Sequence, residues 1–339
     1  MRKGMNEHDG IDTTAPLDPQ GLPGFLIIGA MKSGTSSLHN LLAHHPRVFI
    51  PRGEVFFFDV DDFEQHPDFF PHGRRGWVTH DFEGDLPRYL DWYRGLFSGA
   101  EPGQLLGEDS TTYLASRLAP ARVARLLPEA KLLVMLRDPV ARAHSHYWHN
   151  VSRGRAIHTF EEALHQSSAS YLTRGFYQEQ LARWMGSCGP ERLKVVFFED
   201  FRDDPQAVLN GVLDFLGLER LVDVSEVSSH RNATRAPLHP PTRLLLNRLL
   251  SPIVARRYSS RVPGMPSYRP RSAQAELHRH PFWEGLEDWL DKALPARRPP
   301  PMAKDTRRAL QGIFRKQNAG LSELLGEDVA ARWPYMAGA

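Results

Sequence analysis

A lysine, two glycines and three hydroxyl side chains crowd into Gly29-Ala30-Met31-Lys32-Ser33-Gly34-Thr35-Ser36. An apolar run precedes this segment and a helical pattern follows it. Backbone N–H groups and the positive end of a helix therefore converge where an anion of phosphate size would sit. The spacing is not that of nucleoside triphosphatases, whose lysine follows the second glycine: Lys32 stands inside the loop and Thr35 follows Gly34 directly. With no evident acidic metal partner at the end of a later strand, magnesium-nucleotide chemistry loses its main supports. A lone loop lysine is ordinarily solvated surface, but the bracketing strand, glycines and helix make Lys32 a candidate anion ligand.

A second anion site is suggested by Leu136-Arg137-Asp138-Pro139, with Ser145 two turns further on. The planar fork of Arg137 suits phosphate oxygens. The plainer alternative is an Asp-Pro helix start whose arginine pairs with a carboxylate. His144, His146 and His149 fall on the same predicted helix. Only the 146/149 pair shares a face and no HExxH pattern exists, so they read as partly exposed helix residues rather than metal ligands.

These groups need a frame. Phe25-Leu26-Ile27-Ile28, Lys131 to Leu136 and Leu193 to Phe198 are short continuous apolar runs, the mark of strands buried on both faces of a parallel sheet. Each leads into a helical pattern: Thr35 to His44, the helix opened by Asp138-Pro139, and one opened by Asp204-Pro205 with Val208, Val212, Phe215 and Leu216 on one face. Alternation of this kind predicts an α/β, three-layer P-loop-like fold with a central parallel sheet flanked by helices. Beyond about residue 228 strands are expected to cease, leaving a helical C-terminal portion at about 240–335, with patterns such as Arg307 to Phe314, that closes over the sheet. Residues 1–22 read as a polar tail and 23–335 as one domain.

The 339 residues suffice for a large core, and 41% hydrophobic with 24% charged residues is ordinary globular composition. No run of about 20 apolar residues predicts a membrane span, and the first 22 residues lack the apolar stretch of a secretory signal. Cys188 stands alone and cannot form an internal disulfide, so cytoplasmic residence is the default expectation. A net charge of +2 is too balanced to indicate a nucleic-acid partner.

On its loop and its Arg137 motif the chain resembles the sulfotransferases that use 3′-phosphoadenosine 5′-phosphosulfate (PAPS), in the heparan-sulfate-type branch and its bacterial relatives. The resemblance runs through residues 24–235 and loosely from Leu321 to Trp333. It implies that the loop backbone with Ser33, Gly34, Thr35 and Ser36 holds the 5′-phosphosulfate. Lys32 would offset charge at the transferring sulfuryl group and the leaving phosphate. Arg137 and Ser145 would hold the 3′-phosphate, the group that distinguishes PAPS from ATP. Pro51-Arg52-Gly53-Glu54-Val55-Phe56-Phe57-Phe58-Asp59 resembles the family stretch whose glutamate is the catalytic base, which implies that role for Glu54. Histidine is the rival base, but His44, His45, His72 and His80 sit in no comparable motif.

Tyr177, in Gly175-Phe176-Tyr177, is a candidate donor or acceptor contact, against the commoner alternative of a core aromatic. Arg235, in Arg231-Asn232-Ala233-Thr234-Arg235, stands where the family carries a basic segment over the donor phosphates, though that segment's lysine and glycine are absent. Gly107-Glu108-Asp109-Ser110-Thr111-Thr112-Tyr113 departs from relatives that read Glu-Lys-Ser/Thr: Asp109 replaces the lysine, which leaves Lys32 as the main cation and makes Glu108 and Asp109 secondary candidates for acceptor contacts. The implied activity is metal-free sulfuryl transfer to a hydroxyl or amine of a carbohydrate, glycolipid or secondary metabolite. The alternatives are a P-loop nucleotide kinase, against which the displaced lysine speaks, and a PAPS-binding module without transferase activity, for which Asp109 is the argument.

Overall fold

Phe25-Leu26-Ile27-Ile28-Gly29 offers apolar groups to both sides of its pleat, and it forms the fully buried strand β1 (Phe25–Gly29). The computed structural model describes residues 21–70, 72–73, 76–77, 79–221, 236–259 and 296–338. Around β1 lie β2 (Val48–Phe49), β5 (Leu105–Asp109), β6 (Lys131–Leu136) and β7 (Leu193–Phe197), in the order β2-β5-β1-β6-β7, every pair parallel. The two-residue strands β3 (His72–Gly73) and β4 (Gly76–Trp77) make a separate antiparallel pair.

Helices cover both faces. Phe25 and Ile27 pack with Leu38, Leu41 and Leu42 of α1 (Thr35–Ala43). Leu26 and Ile28 face the opposite layer, which includes α2 (Leu86–Gly95), α3 (Ala119–Leu126) and, with α4 (Pro139–Ser152), α5 (Phe160–Gln166) and α6 (Ser168–Tyr171) intervening in the chain, α7 (Tyr177–Cys188). After β7 come α8 (Phe198–Asp203) and α9 (Pro205–Leu216), whose Leu209, Val212, Leu213 and Leu216 join α1 on the first face. Burying each such side chain contributes about 1.5–3 kcal/mol. The third predicted strand stops at Phe197, because Phe198 opens α8.

Two sheet strands lie outside the expectation. β5 contains Gly107, Glu108 and Asp109 with no β-branched residue, and β2 has only two residues, so neither carries the continuous apolar signal. Strands also do not cease at residue 228: β8 (Ala236–Pro237) pairs antiparallel with β9 (Ala296–Arg297). That short ladder belongs with α10 (Pro240–Ser259), α11 (Lys304–Gln317) and α12 (Leu321–Leu325). Leu310 and Phe314 pack on α4, while Leu321 and Trp333 enter the core layer that holds Tyr177 and Phe197.

From β1 the chain moves out to β2, returns to β5, then crosses β1 to reach β6. In parallel sheets the crevice outside the carboxyl ends at such a reversal is where ligands bind, and β1, β5 and β6 all end on that edge. Among the described residues no helix is long and apolar enough to cross a membrane.

Candidate active site

The loop between β1 and α1 is held in one shape by its backbone. Lys32 adopts φ 69° and Gly34 φ 97°, left-handed conformations whose neighbouring N–H groups form an anion-binding concavity. A Cβ on Gly34 would stand 2.8 Å from Phe198 Cδ2 and 2.9 Å from Met135 Sδ, so the position excludes a side chain. Ala30 N–H donates to Met135 O at 2.8 Å, which ties the loop to β6. Ser33 and Thr35 are buried, with Ser33 Oγ near the Tyr177 hydroxyl, and Ser36 is exposed at the first turn of α1. Burial first, and then the nearby guanidinium groups of Arg153 and Arg137, lower the Lys32 pKa to about 8. Glu54 opposes that shift, which puts the candidate base within the electrostatic reach of the candidate cation.

Arg137 directly follows β6, and its Nη1 donates to Lys32 O at 3.1 Å, so the two sequence motifs form one surface. Its guanidinium lies 4.7 Å over the Phe198 ring. Asp138 caps α4 by accepting from Val140 N–H at 3.0 Å, as the Asp-Pro pair predicts. Ser145 is buried on α4. Tyr177 is fully buried, and its hydroxyl donates to Arg137 O at 2.9 Å, so it props the arginine from behind. Arg235 lies outside the described residues.

Glu54 stands across the crevice, exposed along its chain with its carboxylate walled in at one end. Thr111 donates to Glu54 Oε1 through its N–H at 2.9 Å and again through its hydroxyl. Ser110 Oγ accepts from the N–H groups of Val55 at 3.1 Å and Phe56 at 2.9 Å, and Tyr113 Oη accepts from Phe58 N–H at 3.2 Å. The hydroxyl-rich segment after β5 therefore works as a clamp on the Glu54 segment. The surrounding protein, and then the carboxylate of Asp109, raise the Glu54 pKa.

Asp109 is buried, its Oδ2 3.5 Å from His39 Nδ1, and burial raises its pKa as well. Glu108 points into the protein beside Tyr93 and Tyr113; complete burial pushes its pKa up to about 8. It has no surface to offer an acceptor, which corrects its candidacy as an acceptor contact. Alternation along a strand is the reason, since Glu108 and Asp109 must face opposite sides of the sheet.

The three α4 histidines take separate positions. Trp148 Nε1 donates to His144 Nε2 at 2.9 Å, and His149 lies in the field of Lys32. His146 is buried with Nδ1 3.0 Å from Ser170 O, rather than partly exposed. Among the described residues no group of three or more His, Cys, Asp or Glu is arranged to hold a metal. Arg174 and Arg153, unmarked in the sequence, also reach the crevice: Arg174 Nη1 approaches Met31 Sδ at 2.9 Å, and Arg153 acts on Lys32. Arg174 immediately precedes the Gly175-Phe176-Tyr177 segment, the one signal that pointed there. A proline-lined cavity of about 240 Å³ opens between His144, Phe160 and Met302, and none of Lys32, Glu54, Arg137 and Arg174 lines it.

A family model described as the sulfotransferase family matches residues 23–223. Human (Homo sapiens) heparan sulfate glucosamine 3-O-sulfotransferase 3B1 is 32% identical over 209 residues, which is 59% of this chain and 47% of that protein. Human bifunctional heparan sulfate N-deacetylase/N-sulfotransferase 2 is 30% identical over 213 residues, 58% of this chain and 22% of that protein. The chain thus spans about half the length, or less, of these curated relatives. The crystal structure of a sulfotransferase from Alicyclobacillus acidocaldarius superposes with a TM-score of 0.58 at 25% identity, covering 92% of this chain and 98% of that one.

Proposed function

This chain belongs to the sulfotransferase family, and on that premise we propose that it moves a sulfuryl group from PAPS to a hydroxyl or amine of a carbohydrate, glycolipid or secondary metabolite. The observation that carries the reading is the bond from Arg137 Nη1 to Lys32 O, which joins a phosphate-sized loop to a second guanidinium site at neighbouring strand ends. A donor with phosphate groups at both its 5′ and 3′ positions needs two such sites, and ATP does not.

In this mechanism the Gly29–Thr35 backbone and Ser33, Gly34, Thr35 and Ser36 cradle the 5′-phosphosulfate, and Arg137 with Ser145 fixes the 3′-phosphate. The left-handed backbone at Lys32 and Gly34 and the buried hydroxyls of Ser33 and Thr35 support that placement. Glu54 takes the acceptor proton as the acceptor oxygen or nitrogen bonds to sulfur. The bond from sulfur to the bridging oxygen breaks in line, and its electron pair stays on the 5′-phosphate. Lys32 offsets that charge, a preorganised electrostatic contribution. A raised Glu54 pKa suits a base working near neutral pH.

Isothermal titration of the purified protein with 3′-phosphoadenosine 5′-phosphate (PAP), magnesium ATP and adenosine 5′-phosphate tests the reading. We expect PAP to bind most tightly, and Arg137→Ala to weaken it about 10- to 100-fold, the value of a charged phosphate contact. Preference for magnesium ATP, or no PAP binding by folded protein, would return the kinase or an unrelated activity to first place.

A further inference from the structure

Arg174 reaches the crevice from the turn before α7, and that turn is held by several contacts. Gln180 Nε2 donates to Thr173 O at 2.7 Å, and Asn318 Nδ2 donates to Gly175 O at 3.0 Å. A Cβ on Gly175 would stand 2.6 Å from Phe314 Cε1 and 3.0 Å from Pro139 Cβ, so the backbone is wedged between α4 and α11. Tyr177, two residues on, is pinned to Arg137 O. A side chain on such a pedestal is preorganised.

What the guanidinium touches is a poor match for its charge. Nη1 meets the thioether of Met31, a weak acceptor, and Nη2 donates to Gln65 O at 3.3 Å. Among the described residues no carboxylate forms an ion pair with it, although it lies in the fields of Asp59 and Glu54. Burial, and repulsion from Arg142, hold its pKa down to about 10. A half-buried, under-compensated cation resting on the residue next to Lys32 and within the field of the candidate base is placed for an anion that arrives between them.

We propose that Arg174 is a second catalytic cation, whose guanidinium takes the non-bridging oxygens of the transferring sulfuryl group opposite Lys32. The inference rests on the proposed donor chemistry. Glu54 and Asp109 present negative charge on the acceptor side, and a sulfuryl group moving toward them gains from a fork that follows its oxygens. The positive charge absent at position 109 thus enters from the turn before α7 instead of from β5.

The test needs no acceptor. PAP and PAPS affinities are measured by calorimetry for wild type, Arg174→Gln and Arg174→Lys, together with single-turnover release of PAP from PAPS with water as the acceptor. We expect Arg174→Gln to bind PAP within about twofold of wild type, to lose about tenfold in PAPS affinity, and to slow PAP release about 10²-fold. Arg174→Lys should recover part of both losses, and it keeps the test open where the glutamine variant does not fold. Unchanged PAPS affinity and PAP release in Arg174→Gln overturn the assignment while leaving the donor reading intact. Equal losses for PAP and PAPS also overturn it, because they place the effect on the nucleotide or the fold. Wild-type protein that binds neither ligand overturns the donor reading and this inference together.

Discussion

The two halves of the sheet's carboxyl edge carry opposite charge and are built in different ways. Over β1 and β6 stand Lys32 and Arg137, joined by Arg153 and Arg174; at the end of β5 and in the Glu54 segment stand Glu54, Asp59 and Asp109. Lys32 and Arg137 come from short stretches, each a strand end running into a helix. The acidic half is assembled from distant stretches, with Ser110, Thr111 and Tyr113 gripping the backbone and carboxylate of the Glu54 segment. A donor site tolerates local construction because phosphate is recognised by backbone and dipoles. A base requires an environment, and the environment here is long-range.

The sharpest way to test that division is Glu54→Gln. Acceptor-dependent release of PAP should fall about 10²–10⁴-fold while PAP affinity stays within about twofold. A parallel collapse of PAP affinity would show that the halves are not separate. Next in size is the pH dependence of donor binding. Lys32 carries its charge below about 8 and loses it above, so PAPS affinity should hold through neutral pH and then decline about tenfold. Lys32→Gln should flatten that decline, and persistence of the decline in the variant would assign it to another group.

A smaller effect is expected at Asp109. Its carboxylate raises the Glu54 pKa, so Asp109→Asn should move the acid limb of the rate profile to lower pH. An unmoved limb would break the coupling between the two carboxylates. The smallest effect concerns stability. Glu108 keeps its proton up to about pH 8 in the fold but gives it up above its ordinary value of 4.5 when unfolded. The native state thus binds more protons across that window, and stability falls as pH rises through it. Glu108→Gln, measured by thermal unfolding, should melt above wild type at pH 8 and lose that advantage near pH 5; an equal gap at both would sever Glu108 from the pH dependence.

Legibility followed the same division. β1, β6 and β7 were visible as apolar runs, and the Asp138 cap was visible as Asp-Pro, because each signal lies within a few residues. β5 was not, since its outer residues are a glycine and two acids whose burial depends on neighbours elsewhere in the chain. The hydroxyls of Ser110 and Thr111 looked like part of a departing motif, and in the fold they are the clamp on Glu54. Tyr177, read as a ligand contact or a core aromatic, is buried and spends its hydroxyl on Arg137 O.

The sequence by itself determined the α/β alternation, the anion-binding loop and the Arg137 motif, since hydrophobic period, glycine placement and helix capping act over single turns and strands. Only the tertiary structure decided that the two motifs share a surface, that Glu108 is enclosed while Asp109 faces Glu54, and that Arg174 reaches the donor loop. Those outcomes depend on desolvation and on fields between groups far apart in the chain, and neither exists until the sheet has brought them together.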